Sequence, residues 1–497
     1  MTVYLKTTRM NVIGSNIIII LNWFFLLTFA FGTISAQTSI ELKASMEALI
    51  KEAAEKDIFS GNVLVIQDGN VILDQSVGLA DIERNIPNLP ETSFAIGSIT
   101  KFFTKVLILQ LVQEGKISLE DSLEKYFTGF EIQIGKKVRI KHLINHQSGF
   151  GQYFEVPGFE NVETKIEQSE QVLNFIRLEK LLFEPGTEVE YSNSGYFLLG
   201  LIIEKVTGTD YGTALKNRIS DKLGLAHTGY DLVNKAADGK ATGYLTNMPG
   251  PKRNNLFLHL IGGGDGGIYM TTSDLWDCIN SLLSNNLLLE EAFKLSLFTL
   301  PGSPVTYTSW NDFLQKGRLM IAGGDPGLNA VLGINQEKKY CLIVFSNYDQ
   351  GSAEAVAMRL SAILQGNRPD PFDQGAGQDI KTVVQQLCQL ARNTDAAGFK
   401  NQYLQIYTTA GIPPDDDMIL LHTGNQLIEQ QDYDNALKVY LAYTQDFPNI
   451  VVAWNDLGDI YLAKNDKVNA KKCYEQALRL RPGNERAKKA LIMINEK

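Results

Sequence analysis

The sequence predicts an α+β chain in two parts: an antiparallel sheet flanked by helices with a helical lobe, and then an all-α repeat domain. Three observations carry this reading. Short apolar runs of strand type stand at both ends of residues 61–347, with mostly helical patterning between them. Residues 366–378 are rich in turn formers and have no periodicity. Beyond them a period of 34 residues sets in.

At 497 residues the chain exceeds one ordinary core. Its 46 Lys and Arg against 56 Asp and Glu leave a formal charge of −10 and a pI near 5.2. No basic cluster offers a phosphate-tracking surface, so a nucleic-acid partner is excluded. Lys6 and Arg9 precede an apolar run over 17–31, and Ile34-Ser35-Ala36 ends on a small residue before Gln37. That is the layout of a cleaved signal peptide over 1–36, and it implies export to a periplasmic or extracellular location. The run falls near the ~20 residues that span a bilayer, so a membrane partner is expected only if the leader stays uncleaved. Cys278, Cys341, Cys388 and Cys473 have neither disulfide nor metal-ligand spacing and are expected to be buried free thiols.

Residues 39–56 read as a helix, followed by a hairpin: Val63-Leu64-Val65-Ile66, a turn at Asp68-Gly69-Asn70, and Val71-Ile72-Leu73. Residues 117–220 are mostly helical in pattern. Residues 328–334 and 340–347 alternate around a charged turn and lead into a helix over 353–364. The first and last strands are expected to meet in one sheet. The divisions are 37–366, a linker over 367–378, and 379–497.

In the last part Trp454, Leu457, Gly458, Tyr461, Ala470, Tyr474, Ala477 and Pro482 fall 34 positions after Leu420, Thr423, Gly424, Leu427, Ala436, Tyr440, Tyr443 and Pro448. Glycine and alanine at fixed places let two helices pack closely, and bulky residues fill the gaps. The pattern resembles tetratricopeptide repeats at 417–450 and 451–484, and the resemblance implies a protein or peptide partner. Two repeats are fewer than such arrays usually need. Residues 380–406 are therefore expected to form a degenerate helical pair stacked on them, and 484–494 a closing helix.

The chemistry centres on Ser98-Ile99-Thr100-Lys101, at the start of the apolar-periodic stretch 102–112. Residues three apart share a helix face, so the Lys101 ammonium can reach the Ser98 hydroxyl and favour its deprotonated form. The tetrad alone is weak, because Ser122-Leu123-Glu124-Lys125 also fits, in an acidic, surface-like segment. What strengthens the first is Tyr191-Ser192-Asn193 in a loop before a helix, which places a phenol and an amide together. A phenol beside an ammonium can act as a base near neutrality, whereas an isolated one, with a pKa of about 10, cannot. A second Tyr-x-Asn, Tyr433-Asp434-Asn435, falls in a repeat turn and reads as structural.

Together with His142-Leu143-Ile144-Asn145-His146-Gln147-Ser148-Gly149, Pro185-Gly186 and the run 266–275, these motifs resemble the penicillin-recognising serine hydrolases. That family includes class C β-lactamases, D,D-carboxypeptidases, D-aminopeptidases and related esterases. The resemblance spans roughly residues 40–365 and implies a β-lactamase-like fold. It implies that Ser98 attacks a carbonyl, Lys101 supports its deprotonation, Tyr191 is the general base and Asn193 donates to a small-molecule or peptide-like acyl substrate. The resemblance implies neither cofactor nor metal. One motif departs. Where the family carries Lys or His, a small residue and Gly, this chain reads Ile321-Ala322-Gly323-Gly324. Gly323 and Gly324 keep the substrate-side backbone, and the amides of Ser98 and Gly324 would form an oxyanion hole. Ile321 removes a cation that would hold a substrate carboxylate, which argues against β-lactam hydrolysis, and Lys316 and Arg318 are the nearby replacements.

Competing motifs read as structural. His142 and His146 lack the glutamate of a metalloprotease helix. Gly262, Gly264 and Gly267 match a dinucleotide fingerprint without a clear preceding strand, and no Gly-x-Ser-x-Gly elbow exists. Two functions stay open: an exported serine hydrolase working through a Ser98 acyl-enzyme, or a catalytically impaired ligand-binding scaffold.

Overall fold

The apolar run Val63–Ile66 becomes the centre of a sheet. Helix α1 (Ser39–Glu55) leads into strands β1 (Gly61–Gln67) and β2 (Asn70–Val77), and the sheet is completed by β3 (Arg318–Asp325), β4 (Leu328–Asn335) and β5 (Tyr340–Ser346). In this computed structural model the described residues are 39–495, apart from 160–161, 163–164, 233–234, 247–251, 259–260, 304, 373–379, 411, 413, 415–417 and 481–483. The expected leader lies outside them. Strand order is β3-β4-β5-β1-β2, antiparallel throughout. Pairing from Gly61↔Ser346 to Gln67↔Tyr340 joins the two ends of the domain, as predicted.

The alternation expected for β4 and β5 is absent: every residue of both is buried. Both faces of the sheet are covered, which removes the solvent side that alternation requires. Met46 and Ile50 of α1 pack with Val63, Val65, Val331 and Val344, joined by Ala353 and Leu360 of the last helix of this domain, Ser352–Leu364. On the other face Leu64, Ile66, Leu332, Ile343 and Phe345 meet the helical core around α2 (Thr100–Gln113) and α3 (Asn193–Thr207). Each fully buried Val, Leu or Ile contributes about 1.5–3 kcal/mol.

A second, small sheet positions the site. Phe94–Ala95 pairs with Ile268–Met270, which also pairs with Gly229–Tyr230. Ile96 N donates to Ile268 O at 3.0 Å. The residues after the first strand are the Ser98 turn, and those before the second are the glycine run 262–267, so this pairing sets the two side by side. The run is a close-packed turn, as predicted: a Cβ on Gly200 of α3 would lie 2.7 Å from Gly264 N.

The helices of the repeat unit are Ile380–Asn393, Ala396–Ala410, Met418–Glu429, Tyr433–Asp446, Val451–Ala463, Lys467–Leu480 and Glu485–Asn495, so both the degenerate pair and the closing helix form. A Cβ on Gly424 would lie 2.2 Å from Tyr440, and one on Gly458 would lie 2.7 Å from Tyr474. The period is thus a physical socket: each glycine admits the tyrosine 16 residues later. All four cysteines are buried and free.

Candidate active site

Ser98 lies in the 3-10 turn Gly97–Ile99, at the foot of α2. Gly97 has φ +50°, and a Cβ there would lie 2.6 Å from Gly324 N. A Cβ on Gly323 would lie 2.1 Å from Ile96 O and 2.7 Å from Ser98 N. Only glycines let the edge strand β3 run this close to the serine turn. Gly324, Gly97, Ser98 and Asn193 line one cleft of about 500 Å³, while Gly323 is buried against the turn.

The predicted trio converges. Lys101 Nζ donates to Ser98 Oγ at 3.1 Å and to Asp265 O at 2.8 Å, and Tyr191 Oη donates to Ser98 Oγ at 2.6 Å. Lys101 is 6% exposed and its ammonium lies 4.9 Å from the centre of the Tyr191 ring. The other tetrad does not converge on anything: Lys125 pairs with Asp121 at 2.7 Å.

Tyr191 is held from three directions. Ser192 caps α3 by accepting from Gly195 N at 2.8 Å. Gln152 donates to Tyr191 O at 2.9 Å and accepts from Asn193 Nδ2 at 2.6 Å, bracing both predicted residues with one amide. His146 stacks on the Tyr191 ring, centroids 4.8 Å apart, and its Nδ1 accepts from Ser192 N at 3.1 Å. The helix Ile140–Ile144 ends before His146, which turns to φ +56°, so His142 and His146 do not share a helix face. Burial, then the charges of Lys101 and Lys105, lowers His146 to about 3, and its imidazole is neutral.

Sequence reasoning missed Lys105. It lies one turn beyond Lys101 on α2 and is 6% exposed, and helical spacing alone could have found it. With Ser98, Lys101, His146, Tyr191 and Ile321 it lines a smaller cavity of about 180 Å³, and its Nζ donates to Ser296 O at 2.6 Å. Burial lowers its pKa to about 8. The proposed replacements sit elsewhere: Lys316 pairs with Asp312 at 2.9 Å, Arg318 pairs with Glu337, and both line a separate cavity.

Asp265 and Asp325, on the wall of the larger cleft, were also missed. Burial raises Asp265 to about 6, opposed by Lys101; burial raises Asp325 to about 6 as well, with Lys101 opposing and Asp265 adding to the rise. The cleft's third carboxylate, Asp231, is paired with Lys240 at 2.8 Å.

A sheet of this topology and a Ser-Lys-Tyr cluster at the foot of a buried helix define a serine hydrolase of the penicillin-binding and β-lactamase type. The chain belongs to the β-lactamase family, whose model matches residues 46–366, and a tetratricopeptide repeat model matches 451–484. It is similar to Penicillin-binding protein 4* of Bacillus subtilis (strain 168), 28% identical over 363 residues that cover 68% of this chain and 79% of that one. It is also similar to the teichoic acid D-alanine hydrolase of Staphylococcus aureus, 29% identical over 237 residues, covering 47% and 56%. Among solved structures, a penicillin-binding protein from Bacillus halodurans has TM-score 0.55 at 26% identity, covering 64% of this chain and 98% of that one.

Proposed function

We propose that this chain is an exported hydrolase that cleaves an amide or ester through an acyl-enzyme at Ser98, with the repeats holding a peptide or protein segment. The observation that carries the reading is the pair of hydrogen bonds converging on Ser98 Oγ. A serine oxygen that accepts from both an ammonium and a phenol is stabilised as it gains negative charge. In the first step attack proceeds from the form in which Tyr191 has released its proton to solvent and accepts from the Ser98 hydroxyl: Oγ bonds to the substrate carbonyl carbon, its proton passes to the Tyr191 oxygen, and the carbonyl π pair moves onto the oxygen as the oxyanion. The carbon–heteroatom bond then breaks, and that proton goes to the leaving group. In the second step water attacks the acyl carbon, loses a proton to Tyr191, and the bond to Oγ breaks as the proton returns to Ser98. The Ser98 and Gly324 amides face the developing oxyanion. The Asn193 amide has a second hydrogen beyond the one given to Gln152, and it serves the substrate.

Lys105 supplies near Tyr191 a second ammonium, the charge that Ile321 does not provide. A fluorophosphonate probe tests the assignment: it labels the native chain, and labelling that persists in Ser98→Ala removes Ser98 as the nucleophile. The apolar wall at Ile321 favours a second reading, a binding scaffold without turnover. Ester hydrolysis that is lost in Lys101→Ala and in Tyr191→Phe rejects it.

A further inference from the structure

The Tyr191 side of Ser98 is hydrogen-bonded but not electrically neutral. Lys101 and Lys105, one turn apart on α2 and each 6% exposed, both line the cavity of about 180 Å³. Their hydrogen bonds go to Ser98 Oγ and to the backbone oxygens of Asp265 and Ser296, and among the described residues neither takes a carboxylate partner. Lys101 is offset through space by Asp265 and Asp325 on the cleft side. Lys105 has no such offset: burial alone lowers it, to about 8, so it stays mainly protonated at neutral pH. A buried ammonium without an opposite charge is costly. Its Nζ is held at Ser296 O, next to Leu297 of the cavity wall, which brings the charge to the cavity. His146 adds a donor. Its Nδ1 accepts from Ser192 N, so in the neutral ring Nε2 carries the hydrogen, and that N–H has no acceptor among the described residues. The rest of the wall is largely apolar: Phe102, Leu297, Leu300, Pro301 and Ile321.

We propose that this cavity binds one small monovalent inorganic anion, of halide size, beside Lys105 and His146, and that the bound anion restrains turnover. The single ammonium without an offset sets the charge at one. The apolar wall sets the preference: it offers no hydrogen bonds in place of lost water, so a weakly hydrated ion enters more cheaply than a strongly hydrated one. At roughly 30 Å³ per water, the cavity takes a halide with part of its water shell. Bound there, the anion opposes the field that Lys105 lends to Tyr191 and Ser98. Binding is independent of the acyl-enzyme reading above, and the effect on rate rests on it. A structural alternative makes Lys105 only a tie to the Ser296 carbonyl. It predicts no anion in the cavity.

The test follows the NMR line of chloride over the full chain at neutral pH, with gluconate holding the ionic strength. Excess broadening is expected, displaced more readily by bromide than by fluoride, and lost in Lys105→Met. Ile321→Glu, which places a carboxylate on the cavity wall, is expected to abolish it too and carries the test if Lys105→Met fails to fold. No excess broadening, broadening that persists in both variants, or displacement by fluoride as readily as by bromide overturns the site. Crystals grown in bromide are expected to show an anomalous peak in the cavity, whereas peaks elsewhere alone mark adventitious ions only and overturn it. On a neutral ester, replacing gluconate by bromide should lower kcat at least about threefold, with no such fall in Lys105→Met. A native kcat equal in the two salts overturns the restraint on turnover. A chain that turns over no ester refutes the acyl-enzyme reading, while broadening and diffraction still decide the anion site.

Discussion

The two flanks of Ser98 differ in how completely they are satisfied. On the Tyr191 side nearly every polar group has a protein partner: Gln152 braces Tyr191 and Asn193, His146 is stacked and hydrogen-bonded, and Lys105 donates to Ser296 O. On the cleft side a buried carboxylate oxygen is unmatched and a second carboxylate stands nearby. The difference separates two tasks. Groups that move a proton must be held in one geometry before substrate arrives, whereas groups that recognise a ligand must stay incomplete until it does.

The largest expected effects fall on the satisfied flank. Ser98→Ala abolishes turnover, and Lys101→Ala or Tyr191→Phe lowers kcat by about 10²–10⁴ on charged and neutral esters alike. Uneven losses between those substrates would blur the division of tasks. Lys105→Met is expected to lower kcat about tenfold on charged and neutral esters alike; if the loss falls on one class alone, Lys105 belongs to recognition. Gln152→Ala should cost roughly tenfold, through the looser placement of Tyr191 and Asn193.

On the cleft side the effect is on selectivity and on pH. The groups facing Asp265 are Lys101, Tyr153, Tyr211, Tyr230 and Asp325, with the Asp231–Lys240 pair on the same wall. Of these, the carboxyls near 6 are expected to titrate first as pH falls. The pH profile of kcat/KM on a neutral ester should therefore inflect near pH 6, and the inflection should shrink in Asp265→Asn and in Asp325→Asn. The smallest effect is on stability. Asp265 is raised from 3.8 to about 6 in the fold, so the folded state holds its proton more tightly than the unfolded chain. Its contribution is present below 3.8 and is lost as pH rises through 6. Asp265→Asn should then raise Tm at pH 7, on the order of 2 °C, and not at pH 4.

How much of this was legible in the sequence depends on distance along the chain. Ser98 and Lys101 are three residues apart on one helix, and the glycine–tyrosine sockets of the repeats recur within neighbouring helices, so spacing revealed both. Tyr191 lies 93 residues from Ser98; its place with Asn193 in a loop before a helix singled it out, and its role as base came from the family resemblance. Lys101 and Asp265 are 164 residues apart and are brought together by pairing of Phe94–Ala95 with Ile268–Met270. Strands of two and three residues give almost no periodic signal, so the acidic wall could not be foreseen. The full burial of β4 and β5 was hidden for a related reason, since it depends on helices contributed by both ends of the domain.

The stacked imidazole of His146 bears on how kinetic data from this site should be interpreted. A histidine in van der Waals contact with a hydrolase tyrosine would ordinarily be blamed for any inflection of rate near pH 6, and its replacement by alanine would seem to prove the point by destroying activity. Here the ring stays uncharged down to about pH 3, so such a loss would report a displaced phenol, and the inflection itself would belong to the aspartates across the cleft.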